Sequence, residues 1–455
     1  MSKRSLDSLE NIDQEIETKL KKEKPKEQKI KREKEKEKEK EKENENENEK
    51  EKGAINKITV QGACSTAIVY TPEIDEYTEK QIQATVDHIA FKGSKIRIMP
   101  DVHAGAGSVI GFTATLTDKI IPNIVGVDIG CGVIAINLGK QEFTEERYQK
   151  IDKFIQKSIP AGFKIHPKEV PFEDMKKVLE SIDPERDLEE TIKQFKQLGE
   201  DIGMNCHQND RKRRNKRTNI VMRSIGSLGG GNHFIELDKD DQEDVWLTVH
   251  TGSRNLGLRV ALFHQKKARE IVGKMDGREY LEGKNAKMYY DHMKIAQFYA
   301  KFQRRMIAYR ITKYFFNLEL SEQETVESVH NYINFKDSVI RKGAISAKEG
   351  EKVVIPFNMA AGLIIGTGKG NPNWNNSAPH GAGRVMSRTK AKKTIPLKDF
   401  TKVMKKAGVW SSCVVKSVLD EAPQVYKNVE EIIKYLTPTV NIDRILKPIY
   451  NFKAK

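Results

Sequence analysis

Residues 21–52 contain almost nothing that a protein core could use. The stretch is nearly all Lys and Glu with a few Asn, has no aromatic residue and almost no apolar one. Such a segment gains too little from burial to offset the entropy of ordering it, so it is expected to stay a disordered, solvating tail. Any folded body is thereby confined to residues 54–455, with residues 1–53 as a Lys/Glu-rich extension. The extension holds 17 basic and 17 acidic residues, so the whole net charge of +15 belongs to the folded part. A body that basic suits a polyanionic partner, nucleic acid or nucleotide, although solubility alone also accounts for surplus charge.

Cys64, Cys131, Cys206 and Cys413 show no CxxC spacing and suggest no disulfide framework in a chain this large. The start, Met1-Ser2-Lys3-Arg4-Ser5, lacks an apolar signal-peptide core, and no apolar run is long enough to cross a bilayer. An intracellular protein, cytoplasmic or nuclear and without a membrane partner, is expected.

Short β-type runs fall at 58–60, 66–70 and 96–99, with a helical stretch over 78–91 between the last two. Further strands are predicted at 108–116 and 133–138, and helices through most of 143–203, broken by a loop around Pro160-Ala161-Gly162. Val245-Trp246-Leu247-Thr248-Val249 reads as a buried strand ending at His250, and 284–316 as the longest helix, its Met288, Ile295, Phe298, Tyr299, Phe302 and Met306 near helical spacing. Residues 336–368 return to strands and glycine turns. Strands and helices lack the regular alternation of a doubly wound sheet, so one large mixed α/β (α+β) domain, central sheets flanked by helices, is the expected fold.

Chemistry concentrates in glycine-bearing segments. Val125-Gly126-Val127-Asp128-Ile129-Gly130-Cys131-Gly132-Val133 offers a hard carboxylate and a soft thiol from one short turn. His233, His250, His330 and His380 stand in polar contexts, and with Asp128 and Cys131 they supply more donors than one metal needs. A thiolate can bridge two cations while imidazoles and a carboxylate complete their shells. His380 is followed by Gly381-Ala382-Gly383-Arg384, whose backbone N–H groups suit anionic oxygens. It fits a nucleophile toward phosphorus and equally a sixth metal ligand; spacing leaves both open. Thiolate and imidazole suit zinc, which affinity trends also favour.

These residues resemble the RtcB family of tRNA-splicing ligases, which join RNA with GTP and manganese. The resemblance rests on Met99-Pro100-Asp101-Val102-His103, Gly126-Val127-Asp128-Ile129-Gly130-Cys131-Gly132, Gly231-Asn232-His233-Phe234-Ile235-Glu236 and His250-Thr251-Gly252-Ser253-Arg254. It continues through Arg341-Lys342-Gly343-Ala344 and the run from His380 to Lys393. It implies two Mn2+ ions held by Asp128, Cys131, His233, His250 and His330, with Cys131 between them. His380 would carry GMP taken from GTP. Asn232, Phe234, Glu236, Asn331, Pro356, Met359, Ala382, Gly383 and Lys453 would cradle the nucleotide, in segments that add His233, Ile235, His330, Phe357, Asn358 and Gly381. Arg254 and Arg384 would meet RNA phosphate. The implied reaction joins a 2′,3′-cyclic phosphate or 3′-phosphate RNA end to a 5′-hydroxyl end, in tRNA splicing or RNA repair. Its partners would be broken tRNA or exon halves, and an activating protein.

Several positions depart from the family pattern. Pro356-Phe357-Asn358-Met359-Ala360 stands where Pro-Gly-Ser-Met-Gly is common, Leu363 where a nucleotide-contacting serine is common, and Pro379 where a serine precedes the nucleophile. Nucleotide preference is therefore open. A cyclic phosphodiesterase without ligation and a non-enzymatic RNA-binding module are the competing readings. The basic run 211–217 suits an RNA-backbone contact, an import signal or a solvated loop.

Overall fold

Strands that are apolar on both faces need cover on both faces, and the predicted strand around Val245 receives it. In the structure, a computed structural model that describes residues 56–204 and 220–454, Asp244–Thr251 is buried along nearly its whole length inside a seven-stranded sheet. The sheet order is Thr325–Val329, Gly132–Lys140, Asp244–Thr251, Phe234–Lys239, Val440–Lys453, Gly362–Gly368, Lys352–Asn358, every pairing antiparallel. A six-stranded sheet runs Ile58–Gln61, Thr66–Val69, Lys95–His103, Ile110–Thr115, Val339–Lys342, Asn331–Asn334. Its one parallel pairing, Thr66–Val69 with Lys95–His103, is bridged by the helix Glu76–Val86, as a parallel crossover requires. The mixed α/β class is as expected. The extension 1–53, Cys206 and the run 211–217 lie outside the described residues.

The helix expected over 78–91 is two pieces. Asp75 caps Glu76–Val86 by accepting the Tyr77 and Thr78 N–H groups, and a separate turn, Ile89–Phe91, is capped by His88 Nδ1. Asp87 parts them, its carboxylate taking the Ala63 N–H at 2.8 Å. The long helix runs Gly283–Ile311, and the last residues of the predicted stretch, Thr312–Phe316, wind as a π-helix. The strand Val440–Lys453 escapes prediction because Asp443, Arg444 and Lys447 interrupt its alternation and Pro448 sits at a register shift.

Register is what brings scattered residues together. His250 lies opposite Phe234 on one side and Val133 on the other, and Thr251 lies opposite Gly132. Behind this point Arg304 of the long helix is wholly buried and donates from Nη1 to Gly130 O and Thr251 O, each at 3.0 Å. Its Nη2 and Nε hold Glu327 at 2.6 and 2.9 Å. Burial alone would raise the Glu327 carboxyl, but Arg304, Arg305 and Lys301 keep it below its usual range. Gly130 must be glycine: its φ is +70°, and a Cβ there would stand 2.7 Å from the Ala300 side chain.

Candidate active site

The turn after residue 125 presents Asp128 and Cys131, strand ends present His233 and His250, and His330 follows the strand Thr325–Val329. Gly252 lets the first of these close in, since a Cβ on it would lie 2.1 Å from Asp128 Oδ1. Two donor sets result, Cys131 with His250 and His330, and Cys131 with Asp128 and His233, so Cys131 Sγ belongs to both. Sγ lies 3.5 Å from His233 Nε2 and 3.3 Å from His250 Nε2, and the His250 and His330 Nε2 atoms are 3.3 Å apart.

Hydrogen bonding fixes which ring nitrogens are bare. His233 Nδ1 faces Leu228 O at 2.9 Å and His250 Nδ1 faces Asn232 O at 3.1 Å. A carbonyl only accepts, so both Nδ1 atoms carry the proton and both Nε2 atoms turn lone pairs inward. His233 Nε2 then meets Asp128 Oδ2 at 2.9 Å. A lone pair against a carboxylate oxygen is repulsive unless a proton or a cation lies between them. Burial raises the Asp128 carboxyl; with a proton on His233 Nε2 in place of a cation, the imidazolium charge and the hydrogen bonds from His233 and Cys131 bring it down to about 2. Burial, together with the facing imidazoles, holds His250 and His330 well below the ordinary histidine range, as neutral ligands. Burial and the Asp128 charge push the Cys131 thiol well up, so a cation must displace its proton before the sulfur can serve as a ligand. Carboxylate, shared thiol and inward-facing imidazoles fit two cations around one sulfur.

His380 stands beside this cluster, its ring centroid 4.9 Å from that of His330. Its Nδ1 meets Asp101 Oδ2 at 2.7 Å, and the same oxygen accepts the His380 N–H at 3.3 Å. Asp101 is fully buried on the strand Lys95–His103. With Nδ1 thus engaged, Nε2 is the ring nitrogen that keeps a free lone pair. In the sequence Asp101 figures only as part of a motif, without a role. The signal that points to it is general: a nucleophilic imidazole needs an anchored partner for its other nitrogen. His103, also without a sequence-predicted role, lines the same cavity, pushed down to about 4 by burial.

The cavity measures about 600 Å³. Its walls include Asp128, Cys131, His250, His330 and His380, together with Asn232, Phe234, Glu236, Asn331, Pro356, Phe357, Asn358, Met359, Gly381, Ala382, Gly383, Arg384 and Lys453. Ile235 is not brought there. Strand alternation places it between Phe234 and Glu236 with its side chain in the core, fully buried. Leu363 likewise faces the core, packed with Val354 and Leu446. His233 contributes through the donor cluster and is not among the lining residues.

Four polar side chains of the wall converge on Glu421. Its Oε1 accepts from Arg384 at 3.2 Å and Arg388 at 2.9 Å, and its Oε2 from Tyr426 at 2.7 Å and Lys453 at 3.3 Å. Lys453 Nζ also lies 5.3 Å above the Phe234 ring. Arg254 is elsewhere. It adopts φ +57°, rare for a residue with a side chain, and donates to Ser227 Oγ at 3.1 Å and Gly162 O at 2.7 Å, outside the cavity wall.

Known proteins share this arrangement of sequence. Residues 81–454 match the family model described as tRNA-splicing ligase RtcB. The RNA-splicing ligase RtcB of Escherichia coli (strain K12) is 28% identical over 388 residues, covering 79% of this chain and 90% of that protein. The tRNA-splicing ligase RtcB of Nanoarchaeum equitans is 28% identical over 417 residues, with 77% and 85% covered. RNA-splicing ligase RtcB homolog 2 of Entamoeba dispar is 26% identical over 425 residues, with 78% and 80% covered.

Proposed function

Because this chain belongs to the tRNA-splicing ligase RtcB family, we propose that it is an RNA ligase joining a 3′-phosphate or 2′,3′-cyclic phosphate end to a 5′-hydroxyl end, with GTP consumed. His380 Nε2 attacks the α-phosphorus of GTP, the bond to the bridging oxygen breaks, and pyrophosphate leaves. A 2′,3′-cyclic phosphate end is first opened by water, which breaks the bond from phosphorus to O2′ and leaves a 2′-hydroxyl and a 3′-phosphate; an oxygen of the RNA 3′-phosphate then takes the GMP from His380. The 5′-hydroxyl of the second RNA attacks the activated 3′-phosphate, forming the 3′,5′ bond and releasing GMP.

What carries this reading is the seat of His380, a ring fixed by buried Asp101 and set 4.9 Å from the donor histidine His330. Asp101 holds the proton at Nδ1 and offsets the positive charge that grows on the ring during attack. Phe234 and Lys453 line the cavity where the purine would sit, and Glu236 supplies a carboxyl to it. Asp128, Cys131, His233, His250 and His330 would hold two cations, manganese by family resemblance, which supply charge stabilisation to the phosphoryl oxygens.

Incubation with α-labelled GTP and Mn2+ should leave acid-labile label on the protein, and unlabelled RNA ends should then be joined. Running ATP and other divalent ions in parallel settles the preference that the altered 356–360 segment leaves open. Joining of RNA without any nucleotide would sink the proposal. A second expectation concerns Asp101→Asn. It keeps the shape and removes the charge, so the rate of labelling should fall roughly 10²-fold or more, with the nucleotide concentration for half-maximal rate little changed.

A further inference from the structure

Phe163 is fully exposed on a loop that is held fast. Residues 160–170 connect the helices Glu145–Ser158 and Phe172–Glu180 without regular structure. Pro160 O accepts the Leu228 N–H at 2.8 Å, Gly162 N–H donates to Gly229 O at 2.8 Å, and Arg254 Nη2 donates to Gly162 O at 2.7 Å. Beyond the tip, His166 N–H donates to Arg223 O at 2.9 Å, and Arg223 Nε donates back to His166 O at 2.7 Å. The tip itself is a tight turn, Lys164 N–H to Ala161 O at 3.3 Å, with Gly162 at φ +66°. A single exposed apolar side chain is ordinary on a protein surface. A phenyl ring offered by a backbone pinned on both sides is a different matter, because it stands at a defined place.

That place adjoins the donor cluster. The loop's hydrogen-bond partner Gly229 approaches both Arg254 and His233 so closely that a Cβ on it would lie 2.1 Å from Arg254 Nη1 and 2.7 Å from His233 Nδ1. The next glycine, Gly230, faces Gly162 Cα, and Gly231 faces the Arg388 guanidinium. Phe163 thus stands on a loop that carries exposed Lys164 and Lys168, with Arg254 bonded to the preceding residue Gly162 and Arg388 beside Gly231, two residues on from the loop's partner Gly229. The loop's exposed carboxylate is Glu169, and Arg388 is shared with Asp420 and Glu421.

We propose that Phe163 is a stacking platform for a nucleobase of the RNA strand whose phosphate end enters the donor cluster, with Lys164 and Arg254 meeting its adjoining phosphates. The proposal rests on the ligase reading and goes beyond it by naming how the single strand is gripped. An exposed aromatic ring on a loop with basic neighbours suits unpaired RNA: every base offers a π face, and the backbone supplies the negative charge. Such a grip is indifferent to sequence, as befits an enzyme that meets varied broken ends. A peptide partner would use the ring's apolar character but not the flanking lysines and arginines.

The test compares wild type, Phe163→Ala and Phe163→Trp. Each is titrated against a short single-stranded RNA ending in a 3′-phosphate, with 2-aminopurine near that end, and each is assayed for joining and for uptake of GTP label. Phe163→Ala should weaken RNA binding and raise the RNA KM on the order of 10-fold, with kcat and label uptake unchanged. Phe163→Trp should restore affinity, and 2-aminopurine should be quenched by wild type and Phe163→Trp but not by Phe163→Ala. Equal RNA affinity and KM in wild type and Phe163→Ala would overturn the platform. So would an Ala variant with normal RNA binding that has lost only its response to an added protein. If wild type takes up no label and joins no ends, the ligase reading is what fails, and the RNA titration still decides on Phe163.

Discussion

His380→Ala is expected to leave no covalent nucleotide on the protein. Removal of a covalent nucleophile lowers the rate on the order of 10⁴-fold or more, because binding and electrostatic stabilisation alone cannot form the phosphoramidate. The ring is partly exposed, contacts Asp101 and His330 at the cavity wall, and belongs to none of the core clusters, so the variant should fold and bind metal as wild type does. That separates loss of chemistry from loss of structure. An RNA whose 3′-phosphate already carries GMP bypasses the missing step, and the variant should still seal it to a 5′-hydroxyl end. Label retained on His380→Ala, or failure to seal the pre-activated RNA with metal binding intact, would strip His380 of the nucleophile's role.

Cys131→Ala should be nearly as severe, for a different reason. The sulfur is the one atom common to both donor sets. Without it neither set keeps more than two ligands from the five residues, and the affinity for divalent ions should drop at least about 100-fold. Metal content after gel filtration measures this directly: near two ions per chain in wild type, near none in the variant. The thiol occupies a small fully buried site, and alanine also fits there, so helix content and thermal unfolding after chelation should match wild type closely. A variant that still retains two ions would mean that Sγ does not bridge.

Much of this site is legible in the sequence because its chemistry is local even though its assembly is not. Asp128 and Cys131 declare themselves within one glycine turn, and His250, at the end of an apolar run, is predicted at a strand end, where the structure has it. Convergence is not legible from spacing. It comes from antiparallel pairings that set residues more than a hundred positions apart side by side, such as Gly132 with Thr251. Ile235 shows the limit in the other direction. The family motif spans 232–236 without a break, whereas a strand turns alternate side chains to opposite faces and sends Ile235 into the core. Asp101 and Glu421 escape assignment because each acts on another residue, and only tertiary structure reveals which one.

The Arg304 guanidinium ties Gly130 O to Thr251 O. The two backbone segments that bracket the shared sulfur are thus riveted to one rigid post, so their spacing is stored by the scaffold and does not wait for an ion to impose it. A preparation stripped by chelator should therefore keep its fold, melt lower only by the binding free energy of the lost ions, and recharge within the time of mixing when metal is returned, behaving as an emptied socket whose spacing outlasts its occupants.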